Sequence, residues 1–152
     1  MSRTQKQHLS LPIEDRVFVA LQRAADRLAV QAEQVLKSNG LTGAQYNVLR
    51  ILRGAEPEGL ACSSIAERMI SHDPDMTRLL DRMEKRHLIT RQRQSDDRRV
   101  VKARITSSGL ELLKRLDPTV REVHKRQFAH MGAVRVRALA DLLDEICAPD
   151  RE

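Results

Sequence analysis

Residues 76–105 read MTRLLDRMEKRHLITRQRQSDDRRVVKARI, and the period of their apolar positions changes partway along. Met76, Leu79, Leu80, Met83 and Leu88 recur at helical spacing, which predicts a helix with one buried face. From Ile89 the period shortens. Ile89–Gln94 and Val100–Ile105 are two short strand-like runs flanking a polar tip, Ser95-Asp96-Asp97-Arg98-Arg99, which predicts a β-hairpin with an arginine-rich tip. Upstream, Asp73 suits an N-cap and Pro74 a first helical residue, so the helix is expected to begin there. Before it, Ser64 and Glu67 have the spacing of a capping box for a short helix whose Ile65, Ala66, Met69 and Ile70 face inward. Only Ser71-His72-Asp73 separates the two, so the pair reads as a helix-turn-helix running into a hairpin.

Charge is concentrated in the same stretch. Between Arg78 and Arg104 lie ten Lys or Arg and four acidic residues, while the rest of the 152-residue chain balances seventeen against seventeen; the formal excess of +6 therefore resides in this segment. A basic helix face followed by a basic hairpin is the footprint expected where phosphates are neutralised. A solvated charged face is the plainer alternative.

Working outward, residues 1–10 read as a polar arm. Pro12 opens a long helix carrying Ile13, Val17, Leu21, Ala24, Leu28, Ala32 and Val35 at helical spacing, ending near Asn39-Gly40. Thr42 and Gln45 form a capping box, with Leu41 and Tyr46 placed as a hydrophobic staple, so a second helix follows with Tyr46, Leu49 and Leu52 inward. Glu56-Pro57-Glu58-Gly59 reads as a loop. Beyond the hairpin, Thr106 restarts a helix with Leu110, Leu113, Leu116, Val120 and Val123 on one stripe, and Pro118 marks either a kink or a break in it. A last helix after Met131-Gly132 carries Val134, Leu139, Leu142, Leu143 and Ile146.

The composition excludes several classes. Phe18, Tyr46 and Phe128 are the only aromatic residues, too few to make stacking platforms for single-stranded nucleic acid. Cys62 and Cys147 fit no CxxC spacing, so neither a zinc ribbon nor a disulfide scaffold is expected, and the compartment is expected to be reducing. Cys62 is expected to pack, with a thiol sensor as the alternative. His124 and His130, six apart, do not stack on one helix face, so no metal is expected there. With no paired nucleophile, phosphate loop or metal box, an enzyme is not expected, nor is a cofactor. No apolar run reaches membrane-spanning length and the N-terminus lacks a signal-like segment, which predicts a cytoplasmic protein with no membrane partner.

The order of elements resembles the MarR family of winged helix-turn-helix transcriptional regulators. The resemblance rests first on Asp97-Arg98-Arg99-Val100-Val101-Lys102-Ala103-Arg104-Ile105-Thr106-Ser107-Ser108-Gly109, which is similar to that family's wing signature. Leu41-Thr42-Gly43-Ala44-Gln45-Tyr46 is similar to its second-helix opening, and Ile65-Ala66-Glu67-Arg68 and Thr77–Arg86 to its reading helices. The match runs from about residue 12 to 147. His87 departs from it, standing where the family usually has Gly at the end of the reading helix; histidine is less comfortable at positive φ. The resemblance implies a mainly α fold with a small β-hairpin wing: a dimerisation helix within 1–38, a winged helix-turn-helix over 39–106 and C-terminal dimerisation helices over 107–152, all one integrated domain.

It also implies function: a dimeric repressor reading a near-palindromic site on double-stranded DNA, released by a small aromatic or anionic effector. In a helix-turn-helix the N-terminal part of the second helix enters the major groove, which puts Asp75, Thr77, Arg78 and Arg82 against DNA. Arginine there reads guanine or holds phosphate; Asp75 accepts from cytosine or stabilises the helix dipole. At the wing, Arg99 or Arg98 reaches the minor groove with Asp97 orienting a neighbour, as the family's motif implies. Arg91, Arg93, Lys102 and Arg104 supply phosphate contacts or protect a strand edge. Asp81, Glu84 and Lys85 read as plain exposed surface. In the family an effector sits in a cleft beside the dimer helices, and Phe18, Tyr46 and Arg50 are its candidate neighbours by placement alone. The alternative function is an architectural DNA-binding or protein-interaction winged-helix module without ligand control.

Overall fold

The computed structural model describes residues 12–71, 73, 75–94 and 99–148. The expected arm (1–10), His72, Pro74 and the hairpin tip with Asp97 and Arg98 lie outside them. In chain order the elements are α1 (Ile13–Ser38), α2 (Gly43–Arg53), β1 (Leu60–Ala61), α3 (Cys62–Arg68), α4 (Met76–Lys85), β2 (Ile89–Arg93), β3 (Val101–Ile105), α5 (Ser107–Phe128), a 3-10 turn (Ala129–Met131) and α6 (Ala133–Cys147). The architecture is the expected mainly α one with a small antiparallel sheet. Its described residues divide into two compact units, Ala32–Val120 and the combination of residues up to Gln31 with those from Arg121.

The Ala32–Val120 unit holds the core. Leu36, Leu41, Tyr46, Val48, Leu49, Leu52, Ile65, Leu79, Leu80, Met83, Leu88, Ile89, Ala103, Ile105, Leu113 and Leu116 all belong to one buried cluster. Each such leucine stabilises the fold by about 1.5–3 kcal/mol relative to exposure, so the cluster sets the orientation of every helix that contributes to it. α1 leaves through a left-handed Gly40 (φ 70°), with the amides of Gly40 and Leu41 donating back to Lys37 and Leu36 at 3.0 Å. This double bond pattern satisfies the last carbonyls of the helix and brings Leu36 and Leu41 into the core. Thr42 and Gln45 then form the expected reciprocal capping box, at 3.1 and 3.2 Å, and α2 begins.

The second helix exit repeats the motif with a less suitable residue. His87 stands at φ 56°; its amide donates to Glu84 at 2.8 Å, and that of Leu88 to Met83 at 3.0 Å. The chain therefore takes the left-handed conformation to which glycine is best suited, and the side chain bears the steric cost. Immediately beyond, Thr106 ties the hairpin shut. Its amide donates to the Leu88 carbonyl (3.1 Å), its hydroxyl donates to the His87 carbonyl (2.6 Å), and the same oxygen accepts from the Gly109 amide (3.1 Å). A Cβ on Gly109 would stand 2.5 Å from the Leu88 carbonyl oxygen and 2.7 Å from Ile105 Cγ1, so only glycine fits there.

Several local expectations need correction. Leu60 and Ala61 pair with Ala103 and Lys102, making a third strand in the order β1-β3-β2. Because that pairing holds the chain up to Ala61, α3 starts at once at Cys62 without a side-chain cap, and Ser64 lies inside the helix instead of capping it. α3 ends at Arg68, Met69 turns extended, and Ile70 is 87% exposed instead of inward. The connection to α4 is longer than three residues. Asp75, not Asp73, caps α4 by accepting from the Arg78 amide at 3.2 Å, while Asp73 accepts from the Asp75 amide at 2.9 Å. Pro118 lies within a continuous α5, so the chain does not break there. Leu112 joins the buried stripe of that helix. Cys62 is half-buried against the core, and burial pushes its thiol pKa up, which favours packing over sensing.

In the other unit, the Gln127 side-chain amide donates to the Leu28 carbonyl at 2.9 Å and Val123 is buried. Part of its expected apolar stripe is nevertheless on the surface: Ile13 and Val17 of α1, and Val134, Leu142 and Ile146 of α6; Phe18 and Val30 of α1, outside that stripe, are exposed as well. Among the described residues no helix is long and apolar enough to cross a membrane.

His87→Gly is expected to raise stability by roughly 0.5–1 kcal/mol, the relief of a left-handed side chain less the entropy that glycine loses on folding. Gly109→Ala should lower it by about 1–3 kcal/mol through overpacking against Leu88 and Ile105. Urea unfolding of the two variants beside the parent protein measures both; a destabilised glycine variant at position 87 contradicts the assigned backbone conformation.

Candidate nucleic-acid interface

α4 buries Leu79, Leu80 and Met83 in the core and so turns its opposite face outward. On that face Asp75, Thr77, Arg78 and Arg82 are all exposed. The four residues expected at the major groove are thus brought together over the first two turns of one helix. Asp75 does two things there: one carboxylate oxygen caps the helix through the Arg78 amide, and the other is 3.0 Å from Arg78 Nε.

The hairpin is held to the helix by a residue with a different expected role. Arg91, on β2, donates from its backbone amide to Glu84 Oε1 (2.9 Å), from Nε to Glu84 Oε2 (3.0 Å) and from a terminal nitrogen to both Glu84 and Asp81. Its side chain is only 21% exposed. Burial alone would lower its pKa, but the bonds to Glu84 and Asp81 raise it, so the guanidinium is a fixed cation. Arg91 is therefore a strut between reading helix and wing and not an open phosphate contact, and Asp81 and Glu84 are its partners instead of idle surface. Two acidic residues three apart inside an otherwise basic stretch were the available signal.

The other wing cations lie differently. Arg93 and Arg99 are exposed and Lys102 half-buried. Lys102 and Arg104 do not protect an edge, because β3 runs between β1 and β2. Arg104 also reaches the Glu58 carbonyl at 3.3 Å. Arg86, at the end of α4, donates to the Gly40 carbonyl at 2.6 Å and ties the helix to the exit of α1.

A second anchor holds α2 to α5. Asp117 accepts from the Tyr46 hydroxyl at 2.6 Å and from Arg53 at 2.5 Å, and Arg50 stacks 5.8 Å from the centre of the Tyr46 ring. Burial, reinforced by the bond to Asp117, pushes the Tyr46 pKa up to about 12. Burial acts to raise the Asp117 pKa, yet the Tyr46 and Arg53 bonds outweigh it and hold the carboxyl below its ordinary value. Of the candidate effector neighbours, Tyr46 and Arg50 are thus side by side, the hydroxyl already committed, while Phe18 is 63% exposed and belongs to the other compact unit. His124 and His130 are exposed, and among the described residues no cluster could hold a metal ion.

Comparison with known proteins places this geometry. Residues 41–101, which span α2 to the start of β3, match the model of the MarR family. A MarR transcription factor of Planctomyces limnophilus, known from its crystal structure, is 40% identical, with 89% of this chain and 96% of that one aligned at a TM-score of 0.68. The homoprotocatechuate degradative operon repressor of Escherichia coli is 27% identical over 136 residues, 90% of each chain. The crystal structure of NadR in complex with 4-hydroxyphenylacetate is 27% identical, covering 88% of this chain and 94% of that one at a TM-score of 0.71.

The Tyr46–Asp117–Arg53 anchor predicts a two-sided pH dependence. Asp117, with its folded pKa depressed, contributes stability above about pH 4 that is lost as pH falls through the folded value. Tyr46, with its folded pKa raised, contributes fully below pH 10 and loses that contribution as pH rises towards about 12. Asp117→Asn should flatten the acid limb of a denaturation-versus-pH profile and Tyr46→Phe the alkaline limb. Parallel profiles for all three proteins would remove the anchor.

Proposed function

The chain belongs to the MarR family of transcriptional regulators, and from that premise we propose that it is a homodimeric repressor that reads a near-palindromic operator and is released by a small aromatic carboxylate. The observation that carries the DNA reading is the outward face of α4, where Thr77, Arg78 and Arg82 project from a helix whose inner face is locked in the core. Its N-terminal turns enter the major groove, with Arg78 and Arg82 on bases or phosphates. Arg93, Lys102 and Arg99 of the wing engage the backbone or the minor groove, where guanidinium groups are drawn by negative potential. Asp97 and Arg98 complete that wing set by resemblance to the family motif.

Dimerisation is supported by the apolar residues that α1 and α6 leave exposed, since surfaces of that kind mark interaction sites. Two symmetry-related heads match half-sites about one helical turn, roughly 10 bp, apart. An aromatic effector is supported by the relative bound to 4-hydroxyphenylacetate and by the homoprotocatechuate operon repressor. Such a ligand weakens operator binding only by preferring the form that DNA does not. The chain acts in the cytoplasm, where its DNA is, and carries out no chemistry of its own.

Binding of the operator is expected to weaken in Arg78→Ala and Arg82→Ala. In Arg93→Ala the slope of log affinity against log salt should become shallower by about one, the loss of one phosphate contact. Fluorescence titration at several salt concentrations tests these, and unchanged binding in all three variants would put the wrong face on DNA. For control, a saturating effector should reduce operator affinity roughly 5- to 150-fold, and saturating operator should reduce effector affinity by the same factor. A carboxylate that binds without moving operator affinity is not the regulator. Analytical ultracentrifugation at micromolar concentration tests the dimer.

A further inference from the structure

We propose that Asp75 is a positioning residue that aims Arg78 at guanine, so that the two form a single base-reading unit at the start of α4; this rests on the DNA-binding reading above. Asp75 has two obvious roles on an exposed helix start, capping the helix or accepting from a base. Its carboxylate does the first and also pairs with the Arg78 side chain. One oxygen receives the Arg78 amide at 3.2 Å and the other stands 3.0 Å from Arg78 Nε, so each oxygen is already engaged by Arg78.

The pairing through Nε decides what Arg78 can do. A guanidinium has an Nε edge and an outer edge formed by its two terminal nitrogens. Asp75 holds the Nε edge, and among the described residues the terminal nitrogens of Arg78 have no partner. The outer fork is the one whose geometry matches O6 and N7 of guanine bidentately. The side chain is 78% exposed, so without Asp75 it would sample many rotamers and pay to order one on binding. Asp75 is itself held in place: its amide donates to the Asp73 carboxylate at 2.9 Å, which fixes the backbone from which the cap projects. Asp73, Asp75 and Arg78 thus form a relay in which each residue orients the next.

Two acidic groups beside a polyanion are otherwise costly. Each repels phosphate, and nonspecific binding to DNA is driven by phosphate neutralisation. Their presence at the tip of the reading helix is accounted for if they exchange general affinity for discrimination at one base pair, a trade between affinity and specificity.

The experiment is selection from a random duplex library with the full-length protein, followed by titration of the enriched site and its single-base variants. The wild type should enrich a guanine in each half-site and prefer it roughly 5- to 150-fold over other bases at that position. Arg78→Ala should lose that preference. Asp75→Asn keeps a good N-cap but removes the ion pair. It should bind nonspecific duplex at least as tightly as the wild type while its guanine preference falls most of the way to that of Arg78→Ala. Circular dichroism and unfolding of Asp75→Asn, expected to match the wild type, separate aiming from folding. If Asp75→Asn keeps the full preference, Asp75 is a cap and the proposal is overturned; the same holds if Arg78→Ala keeps it. If the wild type enriches no sequence but binds duplex, or binds none, the regulator reading itself fails and takes this unit with it.

Discussion

Four elements meet at the carbonyls of His87 and Leu88, and the rest of the reading head depends on that meeting. The end of α4, the start of β2, the end of β3 and the first turn of α5 are all joined there through Thr106, whose one hydroxyl both donates and accepts. Gly109 permits the approach, because any side chain at that position would strike the Leu88 carbonyl. Hydrogen bonds of this kind contribute only about 0.5–1.5 kcal/mol each, so the knot matters less for total stability than for geometry. It fixes where the hairpin springs from relative to the helix it accompanies.

From that point the Arg91 strut extends the constraint along the wing. A salt bridge with partly exposed partners is worth little by itself. Here one guanidinium engages two carboxylates of α4 while the backbone of the same residue bonds one of them, so the strand cannot slide against the helix without losing several contacts at once. In the DNA-binding mode proposed above, helix and hairpin meet different grooves of one rigid duplex, and a fixed spacing between them reduces the ordering cost of binding. The basic segment therefore contains cations of two kinds: those that brace the head, such as Arg91 and Arg86, and those that face out, such as Arg78, Arg82 and Arg93.

The same distinction runs through α1 and α6. Their apolar residues also recur at helical spacing, yet Leu36 is the only buried residue of α1 and α6 has none. They leave Phe18, Val134 and Leu142 exposed, apolar surface of the kind that marks interaction sites. This is the physical content of the dimer proposal.

Periodicity and capping chemistry were enough to delimit most of the fold from residues alone. The change of period at Ile89, the Thr42–Gln45 box and Gly40 identified elements that the structure contains, because these signals arise from contacts within a few residues. The resemblance at Asp97–Gly109 and in the reading helices added the family. Most of what stayed illegible was decided by partners distant in sequence. β1 exists only because Ala103 and Lys102 lie beside Leu60 and Ala61, and that pairing displaced the cap expected at Ser64. Asp75 displaced Asp73 as the cap of α4, a choice between two similar acidic residues that spacing alone does not make. Arg91 and Arg93 are alike in sequence, two residues apart on one strand, but only Arg91 points at Asp81 and Glu84. Likewise Asp117 acquires its role from Tyr46 and Arg53, more than sixty residues away. Local sequence determined which segments are helix and strand and where the positive charge lies; only tertiary packing decided which of those charges are spent on holding the head together, because a side chain's partners are set by the fold and not by its neighbours in the chain.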